Sequence, residues 1–198
     1  MDAAHHLNFA YFLATLASTG LCNDKLCRIS LLVFRETSET ARPLGSMSSS
    51  GDANTEATMG DLTISDLLPV AYPWIREAGG KIVQLSDVFW NDCPGTTGEY
   101  RVTSAASELG HGLSSSSGFS PNRWMYLLKR LDGIAEEAKQ AGVSSVAEKA
   151  PEAIDFMLSR VEETDSLVLK EFEAAADDFI KDKTRFSVRH PSSLNEDS

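Results

Sequence analysis

The amino-acid sequence predicts an all-α fold, a single-domain irregular bundle of about six to eight helices, and three observations point there. Apolar residues return at three- and four-residue intervals over most of the chain. Alternation of apolar with polar residues never lasts beyond four or five positions. No Asn-Gly or Asp-Gly hairpin turn sits between two candidate strands.

The first element is Ala3 to Ser18, where Leu7, Phe9, Phe12, Leu13 and Leu16 lie nearly all round, as in a helix buried among others; Gly20 ends it. After Asn23 and Asp24, either of which caps a helix, a second runs to about Thr40. Leu26, Ile29 and Val33 form its apolar side, and Lys25, Arg28, Arg35, Glu36 and Glu39 its polar stripe. The short link predicts an antiparallel hairpin of these two helices.

Residues 43–60 are rich in Ser, Gly, Thr and Asn and read as a flexible loop. Helical patterning resumes over Asp61 to Ala78, but Pro69 and Pro73 lack amide protons, which predicts two short helices or one kinked helix. Gly79-Gly80 is expected to stop it, with a further short helix over Lys81 to Trp90. Residues 91–118 form a second long loop, carrying Pro94-Gly95 and the run Ser114 to Ser117.

The next helix has the clearest start: Ser120 caps it, Pro121 takes the first helical position, and Phe119 and Trp124 occupy the two positions of a hydrophobic staple. Its stripe runs through Leu127, Leu128, Leu131, Ile134 and Ala138 to Gly142. Ser145 and Glu148 resemble a capping box, with a restart at Pro151. From there Ile154, Val161, Val168, Ala175 and Phe179 keep one face apolar, predicting a long helix whose weakest point is Thr164-Asp165. The domain is thus expected over residues 1–183 and a disordered tail over 184–198.

Lys plus Arg number 18 against 29 Asp plus Glu, so the formal charge of -11 disfavours nucleic acid and anionic membrane surfaces. No stretch supplies the roughly 20 apolar residues of a membrane span. Cys22, Cys27 and Cys93 are an odd number in a chain large enough to need no cross-links, which predicts reduced thiols and a cytoplasmic or nuclear location. Burial is the expectation for Cys22 and Cys27, whose five-residue spacing is no redox pair.

His5, His6, His111 and His190 have no metal-ligand spacing, and neither a phosphate-binding glycine loop nor a nucleophile elbow occurs, so no metal, cofactor or catalytic group is indicated. Trp74, Arg76, Trp90 and Arg123 are the candidate ligand-binding residues: Trp needs a partner for its N–H when buried and Arg needs a counter-charge, so together they frame an aromatic pocket with a cationic rim. The competing expectation is that Arg123 pairs with a carboxylate on a neighbouring helix.

Three blocks carry a family likeness: Asn8-Phe9-Ala10-Tyr11-Phe12-Leu13-Ala14-Thr15-Leu16 followed by Val33 to Glu39; Ala71-Tyr72-Pro73-Trp74-Ile75-Arg76-Glu77-Ala78-Gly79; and Gly118-Phe119-Ser120-Pro121-Asn122-Arg123-Trp124. Over about Leu7 to Phe179 the chain resembles a fungal family of helical proteins known as domain of unknown function 3632. The resemblance implies a helical fold and an origin in filamentous fungi, and no activity. The functional expectation is a non-enzymatic helical module with a protein partner, set against a small-molecule-binding protein or atypical enzyme built on the Trp and Arg residues; oligomeric state is left open.

Overall fold

The computed structural model describes residues 3–22, 24–45, 61–91, 118–164, 166–168 and 170. Among these there are five α-helices and no strand: α1 (Ala3–Ser18), α2 (Cys27–Phe34), α3 (Ile64–Asp87), α4 (Pro121–Ala141) and α5 (Ser144–Thr164), with a π-helical turn at Arg35–Glu39 directly after α2. The all-α class is as the sequence predicts. Among the described residues the helices are fewer than expected, because α3 and α5 each run through residues that read as stops.

α3 is the axis of the bundle. Its start is a capping box that periodicity alone does not mark: Thr63 N–H donates to Asp66 Oδ2 at 3.0 Å, and the Thr63 side chain faces the third backbone amide of the helix. Pro69 and Pro73 then sit inside one continuous helix of 24 residues, and so do Gly79 and Gly80. A mid-helix proline costs about 3 kcal/mol. Burial of Leu68, Tyr72, Trp74, Ile75, Ile82 and Val83 along the same helix offsets it, at roughly 1.5–3 kcal/mol for each large apolar side chain. Gly79 contributes by absence: a Cβ there would lie 3.2 Å from Arg160 Cγ, tighter than an ordinary contact, so glycine lets α5 approach closely at Arg160.

α5 likewise carries Pro151 in its interior without a restart, and it ends at Thr164, the weak point expected from sequence. It runs parallel to α3: Tyr72 meets Glu152, Arg160 Nη2 donates to the Arg76 carbonyl at 3.2 Å, and Asp87 receives Ser166. α1 is parallel to α3 too, since Tyr11 lies near Arg76 and Gly20 near Lys81. Lys81 Nζ in turn pairs with Asp24 at 2.9 Å, pinning the start of α2 at the same end. α1 and α2 each pack on α3 rather than chiefly on one another, so the hairpin exists in chain order and not in packing.

Two further expectations are corrected. α1 is covered on one side only: Ala10, Ala14 and Ala17 are buried, whereas Phe9 and Phe12 are 56% and 61% exposed. Small alanines let that face lie close to α3, and no second described element closes over the rest. Cys22 is exposed, while Cys27 is buried. α4 starts and stops as read: Ser120 Oγ accepts from Arg123 N–H at 3.2 Å, Pro121 follows, and Gly142 closes the helix at φ 73. Residues 46–60 and 92–117 of the two loops, Cys93 among them, and residues 171–198, lie outside the described residues.

Candidate functional site

The π turn creates the most unusual site in the core. In an uninterrupted α-helix Glu39 would continue the polar stripe of Arg28 and Arg35. The wider turn shifts the phase by one residue, and Thr40 N–H bonds back to the Arg35 carbonyl at 2.9 Å. Glu39 is thereby turned inward, with 0% of its side chain exposed, against Arg123, of which 2% is exposed; Nε donates to Oε1 at 2.7 Å. Tyr126 Oη donates to the Ser38 carbonyl at 3.2 Å, and Arg42 bonds the Glu36 carbonyl and carboxylate and the Leu62 carbonyl. Burial, with Glu39's charge adding to it, raises the Tyr126 pKa.

The same arginine closes the base of the second long loop. Arg123 Nη1 donates to the Gly118 carbonyl at 3.1 Å, and Phe119 N–H donates to the Trp90 carbonyl at 3.0 Å. The Trp90 and Phe119 rings lie 5.7 Å apart, tilted by 37°. A Cβ on Gly118 would fall 2.0 Å from the Trp90 oxygen, so only glycine fits. Residues 91 and 118, the two ends of the loop, are held at one hydrogen-bonded junction.

A second constellation lies where α1, α3 and α5 meet. Tyr72 Oη donates to Glu152, Lys149 Nζ donates to the other Glu152 oxygen at 2.7 Å and stands 4.3 Å from the Tyr72 ring centroid. Arg76 lies 5.8 Å from the Phe156 ring centroid, Tyr72 meets that ring edge-on at 6.0 Å, and Glu77 pairs with Arg76 at 3.2 Å. Burial, then the hydrogen bond to Glu152, pushes the Tyr72 pKa up to about 12; the Lys149 and Tyr72 hydrogen bonds hold Glu152 below its ordinary value.

The four candidate ligand residues therefore fall in different surroundings. Trp90 and Arg123 meet at the loop base through Gly118 and Phe119. Arg76 belongs to the α1–α3–α5 junction and shares no described contact with them. Trp74 is buried in the core. Phe119, Ser120, Pro121 and Trp124 form the start of α4, with Phe119 and Trp124 both buried in the common core. Trp124 Nε1 is buried and finds no acceptor among the described residues.

Sequence reading missed Glu39, because a polar stripe is the natural reading of its spacing and no residue announces a π turn. The apolar residues of α1 are legible in the sequence but the exposure of its outer face is not, where Phe9, Phe12, Leu13 and Leu16 stand at i, i+3, i+4 and i+7. α1 has no Asp, Glu, Lys or Arg at all. Among the described residues no group of three or more His, Cys, Asp or Glu could hold a metal ion, and no helix is long and apolar enough to cross a membrane.

Comparison with known proteins gives two matches. The model of a family described as protein of unknown function (DUF3632) matches residues 1–131. A Penicillium oxalicum protein named oxopyrrolidines biosynthesis cluster protein G is 34% identical over 197 residues, covering 100% of this chain and 54% of that protein, so the chain spans about half the length of this relative. No solved structure matches.

Proposed function

The chain belongs to the DUF3632 family, a family defined without an activity, and from that premise we propose that it is a non-enzymatic helical module that binds another protein through the outer face of α1. One observation carries this reading: a 16-residue helix with no charged side chain, in a chain of formal charge -11, leaves Phe9 and Phe12 more than half exposed. Single exposed apolar residues are ordinary on protein surfaces. Two phenylalanines one turn apart, continued by half-buried Leu13 and Leu16, make a stripe of the kind that receives an amphipathic helix.

The relative's name ties that protein to a biosynthesis cluster. The partner class that fits here is accordingly an enzyme of a biosynthetic gene cluster, acting in the cytosol, where Cys22 and Cys27 stay as free thiols. The test is co-elution of the purified chain with the enzymes encoded beside its gene. One of them should co-elute with the wild type and not with Phe9→Asp/Phe12→Asp, whose melting temperature should be unchanged. Co-elution that ignores the double substitution, or none at all, overturns the reading.

A further inference from the structure

We propose that the end of the bundle where α3 closes is a second docking surface, centred on Phe89, for an amphipathic helix of another protein whose apolar stripe is flanked by carboxylates. It is separate from the outer face of α1 and does not depend on the reading of that face.

The closure of α3 is where the backbone departs from its own preference. Phe89 N–H donates to the Ser86 carbonyl at 3.1 Å and Trp90 N–H to the Leu85 carbonyl at 2.9 Å, the paired bonds of a Schellman closure. Its pivot is Phe89, at φ 52. That left-handed region suits glycine, because a Cβ there crowds the following carbonyl oxygen, and α4 closes on Gly142 in the same conformation. At Phe89 burial offers little in return, since the side chain is 61% exposed. Backbone strain spent on holding an aromatic ring in solvent marks a side chain that acts outside the fold.

Phe89 has apolar company. Gly20, just past the end of α1, lies beside Lys81 Nζ, and Val88 follows Lys81 by seven residues, on the same face of α3 and about 10 Å further along. Leu21 and Val88 are more exposed than Phe89 itself. From the other side, Leu167 N–H donates to Asp87 Oδ1 at 3.0 Å, which brings the exposed Leu167 to the same end. Four such side chains offer a few hundred Å², the size of apolar patch that marks an interaction site.

Charge selects the partner. Asp24 and Asp87 are engaged within the chain, the first by Lys81 and the second by Ser166 and the Leu167 amide. Two ammonium groups are not. Lys25 follows Asp24 in the turn before α2, and Lys170 stands at i+3 from Leu167, both of them helical; each lysine is exposed and neither pairs with a described carboxylate. The patch therefore has a cationic rim on a chain of formal charge -11. A second copy of this acidic chain is disfavoured by repulsion and by area, since a stable dimer needs roughly 800 Å² per partner. A helix with an apolar stripe between carboxylates complements both the patch and its rim.

The experiment uses the full chain and two synthetic helical probes with the same leucine stripe, one flanked by glutamates and the other by lysines. By fluorescence anisotropy the glutamate probe should bind at least about tenfold more tightly than the lysine probe, the reverse of what the net charge dictates. Lys25→Glu/Lys170→Glu should abolish that preference, and Phe9→Asp/Phe12→Asp should leave it intact. Phe89→Gly should relieve the backbone and raise the melting temperature by about 2–4 °C, while weakening the glutamate probe at least about tenfold. Phe89→Tyr should keep the affinity without the gain in melting temperature. Equal or reversed probe affinities, indifference to Phe89→Gly, or binding lost in Phe9→Asp/Phe12→Asp overturns the proposal. So does a lowered melting temperature in Phe89→Gly, because the ring is then packed by the chain itself. Concentration-dependent dimers that Phe89→Gly dissolves, seen by sedimentation velocity, overturn it in favour of a second copy.

Discussion

Arg123 Nε lies 2.7 Å from Glu39 Oε1 with almost nothing of either side chain exposed, and that pair joins the π turn, the start of α4 and the base of a long loop. Removing one partner leaves a charge buried without its counter-ion. Arg123→Ala or Glu39→Ala should therefore cost about 3–5 kcal/mol. Replacing both with apolar residues of similar volume, Arg123→Met with Glu39→Leu, should restore most of that loss, because the attraction of a buried pair barely exceeds the desolvation of its members. Urea denaturation of the two single variants and the double variant decides it; a double variant as unstable as the sum of the singles would refute the account.

Gly118 tests the loop junction separately from the charge. A Cβ placed 2.0 Å from a backbone oxygen cannot be relieved by a side-chain rotation, so Gly118→Ala must move the Trp90–Phe119 contact. The expected loss is about 1–3 kcal/mol, the usual cost of overpacking. Trp fluorescence should shift with it as Trp90 loses its ring neighbour. Gly133→Ala, with Arg130 Nη1 at 3.8 Å as its nearest contact, is the control and should be neutral or slightly stabilising.

How far the sequence was legible depends on the range of the physics. Start and stop signals made of adjacent residues, such as Ser120-Pro121 and Gly142, act within one turn and coincide with the ends of α4. Local propensity marks Pro69 and Pro73 as a break or a kink and Gly79, Gly80 and Pro151 as stops, but long-range burial outweighs it, and a Cβ on Gly79 would crowd Arg160 Cγ at 3.2 Å. Arg123's need for a carboxylate was legible, and its partner was not, since a single π turn moves Glu39 from the solvent stripe to the core. The apolar stripe of α1 was visible too, but a stripe alone does not say whether anything covers it.

Trp124 isolates the cost of an unsatisfied donor. Its indole is 1% exposed and Nε1 meets no acceptor among the described residues, so the ring contributes burial while the N–H subtracts about 1–3 kcal/mol. Trp124→Phe gives up part of the packing and removes the stranded donor, so stability should change by less than about 1 kcal/mol. Trp124→Ala keeps only the loss and should cost about 3–5 kcal/mol. Chemical denaturation of both variants is the measurement, and a Phe variant nearly as damaged as the Ala variant would show that Nε1 is hydrogen-bonded in solution.

Alkaline pH should reveal Cys27. Burial, reinforced by Asp24 and opposed by Lys81, raises its thiol from the ordinary 9.0 to about 11 in the folded chain. Above pH 9 the unfolded chain releases this proton while the folded chain keeps it, so the unfolded state binds fewer protons and stability falls as pH rises through the interval from 9 to 11. The decline in urea midpoint over that interval should flatten in Cys27→Ala. Tyr72, raised from 10.0 to about 12, should give a second decline that Tyr72→Phe removes. At pH 8 a maleimide should label exposed Cys22 and spare Cys27 until the chain is denatured; equal labelling of both in the native protein would contradict the burial on which the pH dependence rests.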